Sequence, residues 1–112
     1  PARLSAAVDR TFAALSDPHR RRAVELLGER PRRAGELADA LGLAPPAMSR
    51  QLRLLKQSGL VEESHPTFDA RVRIYALKDG AMKDLKDWVA KTEAMWTAQL
   101  AAFKAHVERG AP

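Results

Sequence analysis

Ser49, Arg50, Arg53 and Lys56 recur at steps that keep them on one face of a helix of about 3.6 residues per turn. Met48, Leu52 and Leu55 fall on the opposite face. Between Ala40 and Val61 the chain carries no Asp or Glu. A solvated helix face ordinarily mixes both signs of charge. A face of Ser, Arg, Gln51 and Lys without acid suits a groove lined by phosphates and base edges, where guanidinium and amide groups form paired hydrogen bonds. The chemistry implied is binding of double-stranded DNA rather than catalysis.

A second basic feature follows. Arg71 and Arg73 lie two residues apart, so in a strand both project on the same side. A hairpin carrying them would lie against a minor groove, whose negative potential favours arginine. The alternative for this feature is an ordinary solvated hairpin.

These residues need a scaffold, and the Gly and Pro positions divide the chain into its elements. Leu4, Ala7, Val8, Phe12 and Leu15 have helical spacing over Leu4–Leu15. Asp17 can cap a second helix, Pro18–Leu27, with Pro18 in its first turn and Gly28 at its C-terminal end. A short helix, Ala34–Leu41, ends at Gly42. A tight turn leads to the recognition helix, about residues 46–58, which Gly59 stops. Two such helices joined by a Gly-containing turn form a helix-turn-helix pattern, which many small helical domains also show. A wing of about residues 60–77 follows, with extended runs at Leu60–Ser64 and Arg71–Leu77 and a turn over His65–Ala70. The last helix, about residues 81–109, has no internal Gly or Pro. Its apolar or small residues are Met82, Leu85, Val89, Thr92, Trp96, Leu100, Phe103 and Val107. It would be about 40 Å long, too long for so small a domain to cover, and its exposed stripe calls for a partner.

The fold class expected is therefore mainly α with a small β-hairpin: one winged helix-turn-helix domain over residues 1–112. Aromatic residues make up 5 % of the chain, which disfavours a sheet-rich core. The net charge of +5 raises the expectation of an acidic partner. With no cysteine, disulfides and thiolate metal sites are excluded. No apolar run approaches the roughly 18 residues of a membrane span, and Pro1–Arg10 lacks the apolar region of a secretory signal. A cytoplasmic protein is expected. No nucleophile–base pair, phosphate-binding Gly loop or metal cluster stands out, so no enzyme activity and no cofactor are expected. Glu62 and Glu63 are adjacent and would point to opposite faces of a strand, which is poor geometry for joint acid–base work.

Four stretches together resemble the ArsR family of bacterial winged-helix repressors. They are Phe12-Ala-Ala-Leu-Ser-Asp-Pro-His-Arg-Arg-Arg22, Gly35-Glu-Leu-Ala-Asp-Ala-Leu-Gly-Leu43, Pro46-Ala-Met-Ser-Arg-Gln-Leu-Arg-Leu-Leu-Lys-Gln-Ser-Gly-Leu-Val61 and Arg73-Ile-Tyr-Ala-Leu77. The likeness covers about residues 8 to 105. It implies a homodimer joined by the first and last helices that represses its target promoters. The dimer residues expected are Leu4, Val8, Phe12, Leu85, Trp88, Val89, Trp96, Leu100 and Phe103. The DNA-binding set expected is Pro46, Ala47, Ser49, Arg50, Gln51, Arg53, Lys56, Arg71 and Arg73.

The resemblance also carries departures. The cysteine pair of the family's metal sensors would fall at Arg33 and Gly35. A His two residues after Asp84 would be needed on the last helix, and Lys86 stands there. The chain thus resembles a metal-free branch of the family. Ala44 and Pro45 stand where Ser and Gln are frequent, and Gln51 stands where His is frequent. A small-molecule inducer near Trp88, Met95 and Trp96 is left open, because such residues at helical spacing more often form dimer core. The alternative function is a winged-helix protein-interaction module that pairs through its last helix and does not bind DNA.

Overall fold

Asp17 and Pro18 end one helix and begin the next. The Asp17 carboxylate accepts from the backbone N–H groups of His19 and Arg20 at 2.8 and 3.2 Å. Pro18, which has no N–H to satisfy, opens the helix. The computed structural model describes the backbone of residues 2–66, 69 and 71–110, and the side chains of residues 6–66, 69 and 71–110. The elements are α1 (Ala2–Leu15), α2 (Pro18–Glu29), β1 (Arg32–Arg33), α3 (Ala34–Leu41), α4 (Pro45–Gln57), β2 (Val61–Ser64), β3 (Ile74–Leu77) and α5 (Lys83–Gly110). The Leu4 side chain and part of the expected His65–Ala70 turn, namely Thr67, Phe68 and Ala70, lie outside the described residues.

Helix α2 runs past Gly28, contrary to the expectation that Gly28 would stop it. Its end falls at Arg30, whose N–H bonds to the carbonyl of Leu26 before Pro31 turns the chain away. A Cβ on Gly28 would meet Leu77 Cδ1 at 3.8 Å, so α2 packs closely on β3. Gly42 does end α3, with φ +67°, and the N–H of Leu43 returns to the carbonyl of Ala38 at 2.9 Å.

The sheet has three antiparallel strands in the order β1-β3-β2, not the two of a simple hairpin. In β1, Arg32 pairs with Tyr75 and Arg33 with Ile74. In β2, Val61 faces Leu77 and Ser64 faces Ile74. β3 is thus the central strand, covered on one side by α2. Ile74 and Tyr75 are adjacent and face opposite sides of the sheet; Tyr75 is buried and Ile74 half-buried.

One core joins these elements. Leu37 of α3, Met48, Leu52 and Leu55 of α4, and Leu60 before β2 are almost fully buried, and Ala23, Leu27, Val61 and Tyr75 close around them. The apolar face expected for α4 is therefore the face that anchors it.

Helix α5 differs. Its 28 residues include none that is buried. It packs on α1, where Phe12 and Trp88 meet edge to face at 5.4 Å. Beyond that contact Met95, Trp96, Leu100, Phe103 and Val107 are exposed, Trp96 to 63 %. The chain measures 74 × 29 × 22 Å, the long axis being far longer than a packed domain of this size requires. Val8 is a correction. At 3 % exposure it is already sealed within the single chain and has no surface left for a partner.

Candidate nucleic-acid interface

Helix α4 opens on Ala44, whose side chain makes no capping bond. The expected penalty of about 1 kcal/mol for a missing cap is reduced here for a structural reason. Pro45 and Pro46 occupy the first two helical positions and have no N–H, so fewer orphan donors need a cap. The sequence Ala-Pro-Pro is a self-consistent start, and the helix hydrogen bonds begin with Met48 N–H to the Ala44 carbonyl at 3.0 Å.

With Met48, Leu52 and Leu55 fixed inward, Ser49, Arg50 and Arg53 project outward and are exposed. Neither Arg50 nor Arg53 forms an ion pair among the described residues. Pro46 is exposed at the helix start and Ala47 is half-buried.

Gln51 and Lys56 are engaged within the chain. Gln51 Oε1 accepts from Arg20 Nη1 at 2.9 Å, which turns the amide towards α2. Arg20 Nε and Nη2 also donate to the carbonyls of Ala14 and Ala13, at 2.6 and 3.2 Å. Arg21 Nη1 donates to Leu15 O at 2.8 Å. Two arginines thus satisfy the orphan carbonyls that end α1, and one of them reaches on to α4. Arg20 was not singled out from the sequence, where it reads as one of three consecutive solvated arginines.

Lys56 Nζ lies 3.0 Å from Glu63 Oε1. Tyr75 donates its hydroxyl to Glu63 Oε2 at 2.8 Å, and Arg73 Nη1 lies 3.7 Å from the same oxygen. The Tyr75 and Lys56 hydrogen bonds hold the Glu63 carboxyl below its ordinary range, against a smaller effect of burial. Burial and then the Glu63 bond push the Tyr75 hydroxyl upward. Glu62 is exposed while Glu63 is half-buried, the opposite-face arrangement expected of neighbours in a strand. Between α4 and the wing lies a notch of about 320 Å³ lined by Ser49, Arg53, Lys56, Glu63, Arg73 and Tyr75.

The wing arginines are placed otherwise than the sequence suggested. β3 begins at Ile74, so Arg71 and Arg73 precede the strand and do not project from one strand face. The Asp69 carboxylate accepts from the Arg71 N–H at 2.9 Å and turns the chain there, and Arg71 itself is 93 % exposed. His65 Nδ1 lies 3.1 Å from the Val72 carbonyl and ties the two arms of the wing.

Other positions of interest lie apart from this face. Arg33 precedes α3, and Lys86 is in the first turns of α5. Among the described residues no three His, Asp or Glu side chains come together. Trp88 and Trp96 share a depression of about 230 Å³ with Val89, Thr92 and Glu93, and Met95 is not part of its lining. No helix of the described residues is long and apolar enough to cross a membrane.

A helix pair anchored by an apolar face, an outward basic face on the second helix and a flanking antiparallel wing together define a winged helix-turn-helix regulator. The model of bacterial regulatory proteins of the ArsR family matches residues 17–63, from the Asp17 cap through Glu63. The HTH-type transcriptional regulator Rv2034 of Mycobacterium tuberculosis is 35 % identical over 95 residues, 85 % of this chain and 83 % of the relative. The transcriptional repressor SdpR of Bacillus subtilis is 27 % identical over 82 residues, 73 % of this chain and 88 % of the relative. The homodimeric winged helix-turn-helix DNA-binding domain of Mb0332 from Mycobacterium bovis superposes with a TM-score of 0.64 at 27 % identity, covering 84 % of this chain and 86 % of that one. The present chain belongs to the ArsR family of bacterial regulatory proteins.

Proposed function

We propose that this chain is a transcriptional repressor that binds double-stranded DNA as a homodimer, without metal. The observation that carries the reading is the α4 face. Arg50 and Arg53 stand exposed beside Ser49 on a helix anchored by three buried side chains, in a stretch without acid. In the reading, α4 enters the major groove. Pro46, Ala47, Ser49, Arg50 and Arg53 face the bases and backbone, and Arg71 and Arg73 follow the backbone at the wing. Lys56 joins them once it leaves Glu63. Gln51 acts through Arg20 rather than by touching a base. The repressor SdpR supports the sign of regulation.

The homodimer is supported by the exposed apolar stripe of α5 and by the homodimeric state of the Mb0332 domain. Phe12, Leu85, Trp88, Val89, Trp96, Leu100 and Phe103 would form the joint. Arg33 and Lys86, at the positions where the family's sensors carry metal ligands, support a metal-independent repressor. The protein would act where its DNA lies, in the cytoplasm, and would have no enzyme activity.

The test is titration of the protein against its own upstream DNA and against random duplex at two salt concentrations, beside an Arg50→Ala/Arg53→Ala variant. Selective binding that weakens steeply with salt and is lost in the variant is the expected result. Weak binding, equal on both duplexes and indifferent to the variant, would overturn it. The α5 stripe would then favour the second reading, a protein-interaction module that pairs through this helix.

A further inference from the structure

Three cations, Arg53, Lys56 and Arg73, border the notch between α4 and the wing, against one carboxylate, Glu63. The notch also receives two hydroxyls, from Ser49 and Tyr75. Such a set of donors around an opening is the chemistry of a site for a phosphate oxygen. The carboxylate makes the contacts a phosphate oxygen would make. It takes the Lys56 ammonium at 3.0 Å and the Tyr75 hydroxyl at 2.8 Å, and Arg73 stands at 3.7 Å. Glu63 also joins the recognition helix to both arms of the wing, since Lys56 is on α4, Glu63 on β2 and Tyr75 on β3.

We infer that this notch seats one phosphodiester of the DNA backbone and that Glu63 is its internal occupant, a carboxylate that DNA must displace. The inference rests on the DNA-binding reading above. On a loosely docked duplex Glu63 keeps Lys56 and repels the approaching phosphate. On a duplex whose base contacts are in place, α4 brings a phosphate into the notch, and Lys56 and Arg73 exchange the carboxylate for it. Glu63 thereby weakens binding to random DNA more than binding to the matched site, and it acts as a residue that sets specificity. A carboxylate whose task was only to hold the wing would have the opposite effect when removed, because a loosened wing binds every duplex less well.

The experiment compares the whole protein with its Glu63→Gln variant on upstream and random duplexes over a series of salt concentrations. Glutamine keeps an acceptor for Tyr75 but neither neutralises Lys56 nor repels phosphate. Affinity of the variant for random duplex is expected to rise roughly eightfold at 0.1 M salt, the factor given by a slope of about 0.9 per added phosphate contact. The salt slope on random duplex steepens by about 0.9 for each cation released, and the ratio of upstream to random affinity falls. In a Lys56→Gln background the gain from Glu63→Gln shrinks, because the cation to be released is gone. Weaker binding of the variant to both duplexes, or unchanged affinity and slope, would overturn the inference. Should Glu63→Gln fail to fold, Lys56→Gln alone reads the exchange. It lowers the slope on upstream DNA by about 0.9 if Lys56 moves to phosphate, and an unchanged slope overturns the inference. The wild-type arm separates this from the larger reading: if the wild type does not prefer its upstream duplex, DNA recognition itself fails, and a difference between variants bears on Glu63 alone.

Discussion

Arg20 and Gln51, 31 positions apart in the chain, are joined by a hydrogen bond of 2.9 Å from Nη1 to Oε1. The same guanidinium holds the carbonyls of Ala13 and Ala14 in the last turn of α1, so the end of α1 and the middle of the recognition helix share one side chain. Any displacement of α1 is felt at α4 through a planar group with little freedom to stretch. Replacing Arg20 by Ala leaves the Ala14 carbonyl and the Gln51 amide oxygen without this donor, while the Ala13 carbonyl keeps the Ser16 hydroxyl at 2.7 Å. The expected cost is about 1–3 kcal/mol in urea unfolding. Gln51→Ala alone is expected to cost less, and the double variant less than the sum of the two. Strict additivity would mean that the two residues are not coupled.

Two glycines of the helix-turn-helix are expected to respond with opposite sign. Gly42 has φ +67°, a conformation that costs an L-residue roughly 1 kcal/mol, so Gly42→Ala destabilises by about that amount. Gly35 lies in α3 with nothing within 4 Å of an added Cβ. Gly35→Ala therefore stabilises by about 0.5–1 kcal/mol, chiefly by restricting the unfolded chain. Thermal melting of the two variants beside the wild type checks both signs.

The exposed aromatic residues of α5 are expected to govern assembly. Truncation of a central aromatic at an interface commonly costs about 2 kcal/mol or more, so Trp96→Ala should weaken dimerisation roughly 30-fold. Phe103→Ala should act in the same direction. Analytical ultracentrifugation over a range of concentrations reads the change. Unchanged sedimentation in both variants would move the joint away from this stretch of α5.

Acid should loosen the contact between wing and recognition helix. Because its two hydrogen bonds hold the Glu63 carboxyl below 4.5, its stabilising effect is present above that value and is lost as the pH falls through the lower, folded-state value. The urea midpoint of the wild type should therefore fall more on acidification than that of Glu63→Gln. Acid sensitivity left in the variant arises partly at Asp17. There burial is the largest single effect and raises the carboxyl, but the N–H groups and charges of Arg20 and His19 together outweigh it and hold it down.

Much of this architecture was legible because local signals agreed with tertiary ones. Asp17-Pro18 and Gly42 mark helix ends by backbone geometry alone. The recurrence of apolar residues from Leu85 to Val107 admits only a helix. The misreadings share a different cause. β1 is two arginines whose extended conformation comes from pairing with Ile74 and Tyr75, some forty residues away, and nothing in Arg32-Arg33 encodes it. Gly28 is tolerated inside α2 and lies beside Leu77, a contact no local pattern reports. Val8 belongs to the same periodic stripe as Phe12, yet one is sealed inside the chain and the other exposed, because periodicity gives a face and not what covers it. In the candidate site, the outward direction of Ser49, Arg50 and Arg53 followed from the helix period. The engagement of Gln51 with Arg20 and of Lys56 with Glu63 depends on side chains brought together only by the fold.

The absence of any buried residue in α5 has a consequence for dosage. A lone chain gains little from keeping so exposed a helix ordered, because a helix's stability comes mainly from packing one of its faces. In the proposed homodimer, ordering of the outer half of α5 and pairing of two chains become one event. Below the dissociation constant the amount of dimer grows as the square of the amount of chain, so halving synthesis removes about three quarters of the active species. The unpacked outer half of the helix would make the promoter respond to the copy number of its own regulator far more sharply than a monomeric DNA-binding protein would allow.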